Sequence, residues 1–412
     1  MVDIAILGYG TVGSGVVEVI NTNKFSIDKR AGSPIRIKHV LDLRRFPGDP
    51  IEEILTDNIE DILNDDEVKV IVEVMGGVEP AYTFVKRALL KGKSVVTSNK
   101  ELVAKHGAEL LEIARQRDIN FLFEASVGGG IPIIRPLNQS LTADEIYEIT
   151  GILNGTTNYI LSKMADEGGN FEEVLKEAQD KGYAERDPRA DVEGHDACRK
   201  IAILSSLAFG MHVDYEDIYT EGIAKITRKD IAYAEKIGYT IKLLATSKKV
   251  EHCIFARVSP VMISKKHPLA TVNGVFNAIF IKGNVIGDVM FYGKGAGKLP
   301  TASAVVADIV DAIKHLNCNI VSHWSTEKVN LMDLKDVHSR YFIRIEYDDF
   351  ESAKKEIERI FETKEIIQLD NSEKELSFIT KNEAEGTLSE KVNLLKEKEG
   401  IKEIISIIRI EK

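Results

Sequence analysis

Residues 2–13 read Val2-Asp3-Ile4-Ala5-Ile6-Leu7-Gly8-Tyr9-Gly10-Thr11-Val12-Gly13. A short apolar run passes straight into glycines spaced Gly-x-Gly-x-x-Gly, and the amphipathic stretch Gly13–Asn21 follows. That order predicts a buried strand, a tight turn and a helix. The glycines permit the turn, close backbone approach to a pyrophosphate and close helix–strand packing, while the helix N-terminus offers free N–H groups and a positive dipole to phosphate. Gly8, Gly10, Thr11, Val12 and Gly13 are therefore the predicted dinucleotide-binding residues.

The second strand is expected at Ile35–Leu41, running into Asp42-Leu43-Arg44-Arg45. An acidic residue there suits a ribose 2′-hydroxyl, whereas arginines suit a 2′-phosphate. Both are present, so NAD and NADP stay open, with NADP favoured through Arg44 and Arg45. The bland alternative is that both arginines solvate a loop. Further apolar runs, Val68–Met75, Ser94–Thr97 and Asn120–Glu124, alternate with helical stretches at Ala81–Lys91 and Glu101–Arg117. Such alternation predicts an α/β fold, a doubly wound sheet of parallel strands buried on both faces.

From about Ile131 the rhythm changes. Glu145–Leu153 reads as a strand entering Asn154-Gly155-Thr156-Thr157-Asn158 and a helix. A second helix is capped at Asn170 and stopped at Gly182. Asp196–Phe209 is another apolar-faced helix, residues 253–292 are strand-like, and Pro300–His315 is helical. Residues 316–338 lack strong periodicity. Residues 339–412 read as βαββαβ, a ferredoxin-like order.

The chain has 412 residues, enough for two to four domains, with 54 basic and 65 acidic side chains and a net charge of −11. An acidic chain without a basic block is a poor partner for nucleic acid or an anionic membrane. No run is apolar enough to span a bilayer, and the N-terminus lacks the positive region of a secretory signal, so a cytoplasmic location is expected. The three cysteines, Cys198, Cys253 and Cys318, form no metal pattern and read as buried small hydrophobes.

Two segments concentrate polar groups. Thr97-Ser98-Asn99-Lys100 lies just past a predicted strand, at the sheet edge where α/β ligands sit. A lysine there can anchor a carbonyl or carry a proton, or it can be a solvated helix start. The second segment runs from Gly182-Tyr183-Ala184-Glu185 through Asp191 to Asp196-Ala197-Cys198-Arg199-Lys200. Asp196 and Lys200, four apart, share one helix face. The bland reading is a surface ion pair. The chemical reading is a lysine beside carboxylates and a dry wall, tuned for acid–base work. His195 stands alone and reads as structural.

These stretches resemble the homoserine dehydrogenase family: GYGTVG at 8–13, VEVMGGVEPA at 72–81, VVTSNKELVA at 95–104, EASVGGGIPIIRPL at 124–137, GILNGTTNYIL at 151–161, GYAERDPRADVEGHDACRKIAIL at 182–204 and YGKGAGKLPTASAVVADI at 292–309. The resemblance implies NAD(P)-dependent interconversion of L-homoserine and L-aspartate 4-semialdehyde, on the way to threonine, methionine and isoleucine. It implies Lys200 as the general acid–base and Lys100 as a second lysine near the reacting oxygen. Glu185, Asp191 and Asp196 would hold the substrate, with Gly155, Thr156, Tyr183 and the adjoining Gly182. Glu124, Val127, Gly129 and Ile131 would form a monovalent cation site, such as for sodium, from carbonyls and one carboxylate. Gly295 would lie near the cofactor, with Thr97, Ser98 and Lys100. A homodimer through the middle domain is implied.

The implied organisation is a Rossmann-type dinucleotide-binding domain over 1–130 plus about 294–320, an α+β catalytic and dimerisation domain over 131–293, a connector over 321–338, and a C-terminal domain over 339–412 that resembles an ACT domain. The turn after that domain's first strand departs from the family's DxPG: it reads Tyr347-Asp348-Asp349-Phe350-Glu351-Ser352. Threonine feedback through the usual site is therefore not expected. Two alternatives stand beside this reading: another amino-acid or semialdehyde dehydrogenase on the same fold, and a non-catalytic nucleotide-binding sensor.

Overall fold

The computed structural model describes residues 1–251, 253–370 and 374–411. Residues 371–373 and 412 of the expected C-terminal domain lie outside that set. The chain forms two compact units. One comprises Met1–Ile149, Arg199–Asp217 and Ile279–Val329; the other comprises Thr150–Cys198, Ile218–Ala278 and Asn330–Lys412.

In the first unit six strands form an all-parallel sheet in the order Leu55–Thr56, Ile35–Leu41, Val2–Leu7, Val68–Glu73, Ser94–Thr97, Phe121–Leu122. The chain reverses direction across the sheet at Val2–Leu7, which makes its carboxyl end the switch point where such sheets bind ligands. Ile4, Ala5, Ile6 and Leu7 are fully buried, as an unbroken apolar run requires when helices cover both faces. Helix Thr11–Thr22 packs against helix Lys298–Lys314, and Val16 and Ile20 share a core with Ala302, Val305 and Ile309.

Two boundaries differ from the periodicity. The first helix begins at Thr11, because Gly10 serves as its N-cap. The last strand stops at Leu122, because Glu124 turns into a short 3-10 segment that buries its carboxylate. Helix Lys24–Ala31 was invisible in the sequence: only Ile27 and Ala31 are buried, too few to print a period.

In the second unit Tyr239–Val250 and Cys253–Ser264 pair antiparallel along their whole length. Cys253–Ser264 also pairs, in parallel, with Ile401–Glu411. From there the strands run Ile401–Glu411, His338–Tyr347, Glu375–Ile379, Ile366–Ile367, each antiparallel to the next. Helices Phe350–Phe361 and Glu385–Lys396 supply Ala353, Ile357, Leu388 and Val392 to a core with Ile343, Ile345 and Phe378.

Buried ion pairs tie these segments to the rest of the unit. Arg344 Nε donates to Asp230 Oδ1 at 3.0 Å, and Asp230 also accepts from Thr227 and Ser406. Arg257 and Arg409 each donate to Glu385 at 2.8 Å. Lys242 is 1% exposed and donates to Asn158 Oδ1, the Val272 carbonyl and Asn273 Oδ1. The cysteine expectation fits only Cys198; Cys253 and Cys318 are exposed, at a strand start and just past a helix end.

Candidate active site

At the switch point a Cβ on Gly13 would lie 2.0 Å from the Gly8 carbonyl oxygen, so only glycine closes this turn. Gly10 faces open space, with nothing within 4 Å of an added Cβ. Helix Thr11–Thr22 has no side-chain cap and no acidic residue in its first turn. Its leading N–H groups are left for an anion, which fits a pyrophosphate over Gly10, Thr11 and Val12.

The amide of Tyr9 donates to Asp42 Oδ2 at 2.8 Å, so the acidic residue after the second strand reaches the glycine turn. Arg44 grips the same carboxylate, through Nε at 2.9 Å and Nη2 at 2.7 Å, and lies over the Phe46 ring. The Arg44 guanidinium holds the Asp42 carboxyl well below the usual range. Arg45 is exposed.

A second corner is built on Glu73, a fully buried carboxyl at the end of strand Val68–Glu73. Thr97 Oγ1 donates to it at 2.6 Å and the Met75 amide at 2.8 Å. Burial pushes the Glu73 carboxyl up. Thr97 Oγ1 accepts from the Asn99 amide, and Asn99 Oδ1 caps helix Lys100–Gln116 by accepting from Leu102. The chain Glu73–Thr97–Asn99 thus fixes the turn that presents Lys100. The amide of Ser98 reaches the Glu73 carbonyl at 3.4 Å. Glu73 was not among the predicted site residues; its signal was a carboxylate ending an apolar strand.

Lys200 is 8% exposed and follows Asp196, 4% exposed, by one turn of helix His195–Phe209. Its neighbour Arg199 pairs with Glu101, the neighbour of Lys100, at 3.7 Å, so the turns carrying the two lysines adjoin within the first unit.

In the second unit Asn154 caps helix Gly155–Glu167, its Oδ1 accepting from the Thr157 amide at 2.9 Å. Its Nδ2 donates to Asp191 Oδ1 at 2.7 Å and Asp196 Oδ2 at 2.9 Å. Thr156 Oγ1 donates to the Tyr183 carbonyl at 2.7 Å, binding the Gly182–Tyr183 turn to the same helix start. A Cβ on Gly155 would lie 2.8 Å from the Val275 carbonyl. Asp191, Asp196, Thr156 and Tyr183 are therefore gathered around residues 154–156. Glu185 is exposed, and exposed His195 pairs with Glu193.

Among the residues proposed for a cation, the Glu124 carboxylate already accepts from the amides of Ile133, Ile134 and Arg135 at 2.6, 2.8 and 2.7 Å. Val127 and Ile131 are buried, and Gly129, at φ +57°, packs on Gly295 so closely that a Cβ would lie 2.2 Å from the Gly295 oxygen. Among the described residues no three His, Cys, Asp or Glu side chains gather as a metal site.

A glycine turn at the switch point of a parallel sheet, with a buried lysine in the same unit, fits the class of dinucleotide-dependent oxidoreductases. Profiles described as "Homoserine dehydrogenase, NAD binding domain" and "Homoserine dehydrogenase" match residues 8–124 and 132–310. The homoserine dehydrogenase of Bacillus subtilis is 39% identical over 99% of this chain and 98% of its own. A crystal structure of a homoserine dehydrogenase from Thiobacillus denitrificans superposes with a TM-score of 0.92 at 37% identity, covering 100% of this chain and 98% of that one. A hyperthermophilic archaeal homoserine dehydrogenase mutant in complex with NADPH matches at a TM-score of 0.64 and 29% identity, covering 76% of this chain and 97% of that one. The chain belongs to the homoserine dehydrogenase family.

Proposed function

We propose that Lys200 is the proton carrier of homoserine oxidation and of the reverse reduction. The observation that carries this is a buried lysine one helical turn beyond a buried carboxylate. A bound nicotinamide cofactor supplies the hydride. In the reducing direction negative charge develops on the aldehyde oxygen, and a protonated Lys200 stabilises that charge and then donates its proton. Lys100, presented by the Glu73–Thr97–Asn99 chain, adds positive potential at the same oxygen. Asp191, Asp196 and Glu185 take the substrate ammonium, and Thr156, Gly155, Gly182 and Tyr183 bound its other end.

NADP is the favoured cofactor: Arg44, anchored on Asp42, is the cation for a 2′-phosphate, and a relative of this chain is described in complex with NADPH. A monovalent cation such as sodium would sit on Glu124, Val127, Gly129 and Ile131, held by backbone carbonyls and the one carboxylate. Strand Gly287–Lys294, the last in its sheet, exposes Met290 and Tyr292, which suits a homodimer. A cytoplasmic enzyme feeding threonine, methionine and isoleucine synthesis is the matching setting.

Residues 339–412 are read as ACT-like. Ser352 Oγ donates to the Glu399 carbonyl and the Asp348 amide to that of Gly400, so the chain itself covers the turn where an effector would enter. Threonine should leave activity unchanged.

The direct test offers L-homoserine with NADP and, separately, NAD, and follows reduced-cofactor absorbance. Turnover with NADP at the higher kcat/KM is expected; no turnover with either would overturn the reading.

A further inference from the structure

We infer that Asn154 is a positioning residue for substrate, beyond its part in capping a helix. This rests on the reading that Asp191 and Asp196 hold the substrate ammonium. The two amide hydrogens of Asn154 are divided between the two carboxylates, at 2.7 and 2.9 Å, while its oxygen is spent on the Thr157 amide and hydroxyl. Asn154 is 6% exposed and Asp196 is 4% exposed, so little water competes for the bond between them.

Asn154 ties the two carboxylates to one point, that of Asp196 buried and that of Asp191 partly so. A neutral side chain with two donors holds both in place while adding no charge. The same residue fixes the start of helix Gly155–Glu167, so the carboxylates and the Gly155–Thr156 backbone are set by one side chain.

Capping and bridging predict different orders among variants. As helix caps, Ser and Asp are nearly equal to Asn, and Ala is worse. As a bridge, Ser is too short to reach both carboxylates, and Asp places a third negative charge between them. Steady-state kinetics of N154S and N154D would therefore be measured beside wild type and D191N, varying homoserine and NADP separately. Losing hydrogen bonds to charged groups should raise the homoserine KM about tenfold in N154S and more in N154D, with the NADP KM within about twofold of wild type.

Wild-type homoserine KM in N154S and N154D, with a raised KM in D191N, would overturn the bridge while leaving the carboxylate reading intact. Wild-type KM in D191N would remove the carboxylate reading, and the bridge with it. If N154D does not fold, N154S decides alone: a raised homoserine KM with unchanged melting temperature supports the bridge, and a wild-type KM overturns it.

Discussion

The backbone amide of Tyr9 and the carboxylate of Asp42 are 2.8 Å apart, which seats an acidic side chain against the glycine turn where a ribose would lie. Arg44 occupies the other lone pairs of that carboxylate and neutralises it. Removing the guanidinium would both delete the proposed 2′-phosphate partner and free Asp42 to accept from a 2′-hydroxyl. Arg44→Ala should lower kcat/KM for NADP by about tenfold to a hundredfold and raise it for NAD. Parallel assays with the two cofactors check this; an equal fall for both would contradict it.

Asp230 and Arg344 form a buried pair in which Asp230 is fully buried and Arg344 is 2% exposed. Asp230→Ala leaves the guanidinium underpaired and removes the capping box of helix Arg228–Lys236. The loss should be about 3–5 kcal/mol by denaturant unfolding. A loss below about 1 kcal/mol, the scale of an exposed pair, would mean the pair is open to water.

Lys242 gives a pH dependence with a definite sign. Burial lowers its pKa from 10.5 to about 8. Below pH 8 both folded and unfolded chains carry the proton, and the folded chain bears the cost of the buried charge. Between pH 8 and 10.5 the unfolded chain still holds the proton and the folded chain has lost it, so this residue's contribution to stability rises with pH. Relative to Lys242→Met, the wild type should gain up to about 3 kcal/mol between pH 7.5 and 10.5. Equal stability differences at the two pH values would contradict the shift.

The dinucleotide half of this account was legible because its signals are local. Glycine spacing dictates a turn that a Cβ would close, and an unbroken apolar run such as Ile4–Leu7 dictates a doubly covered strand. Asp191 and Asp196, which share Asn154, were legible as neighbours through sequence proximity. Asn154 and Glu73 were not, because their roles depend on partners brought together by folding: Asp191 lies 37 residues from Asn154, and Thr97 lies 24 from Glu73. The bonds on the Glu124 carboxylate were hidden for the same reason. Nothing in EASVGGGIPIIRPL announces that three amides, from Ile133 to Arg135, turn back onto it.

The most direct measurement is kcat/KM for homoserine in Lys200→Ala, with NADP affinity followed separately by fluorescence. A proton carrier in this position predicts a fall of about 10²–10⁴-fold while the cofactor still binds. Turnover close to wild type would show that another group moves the proton.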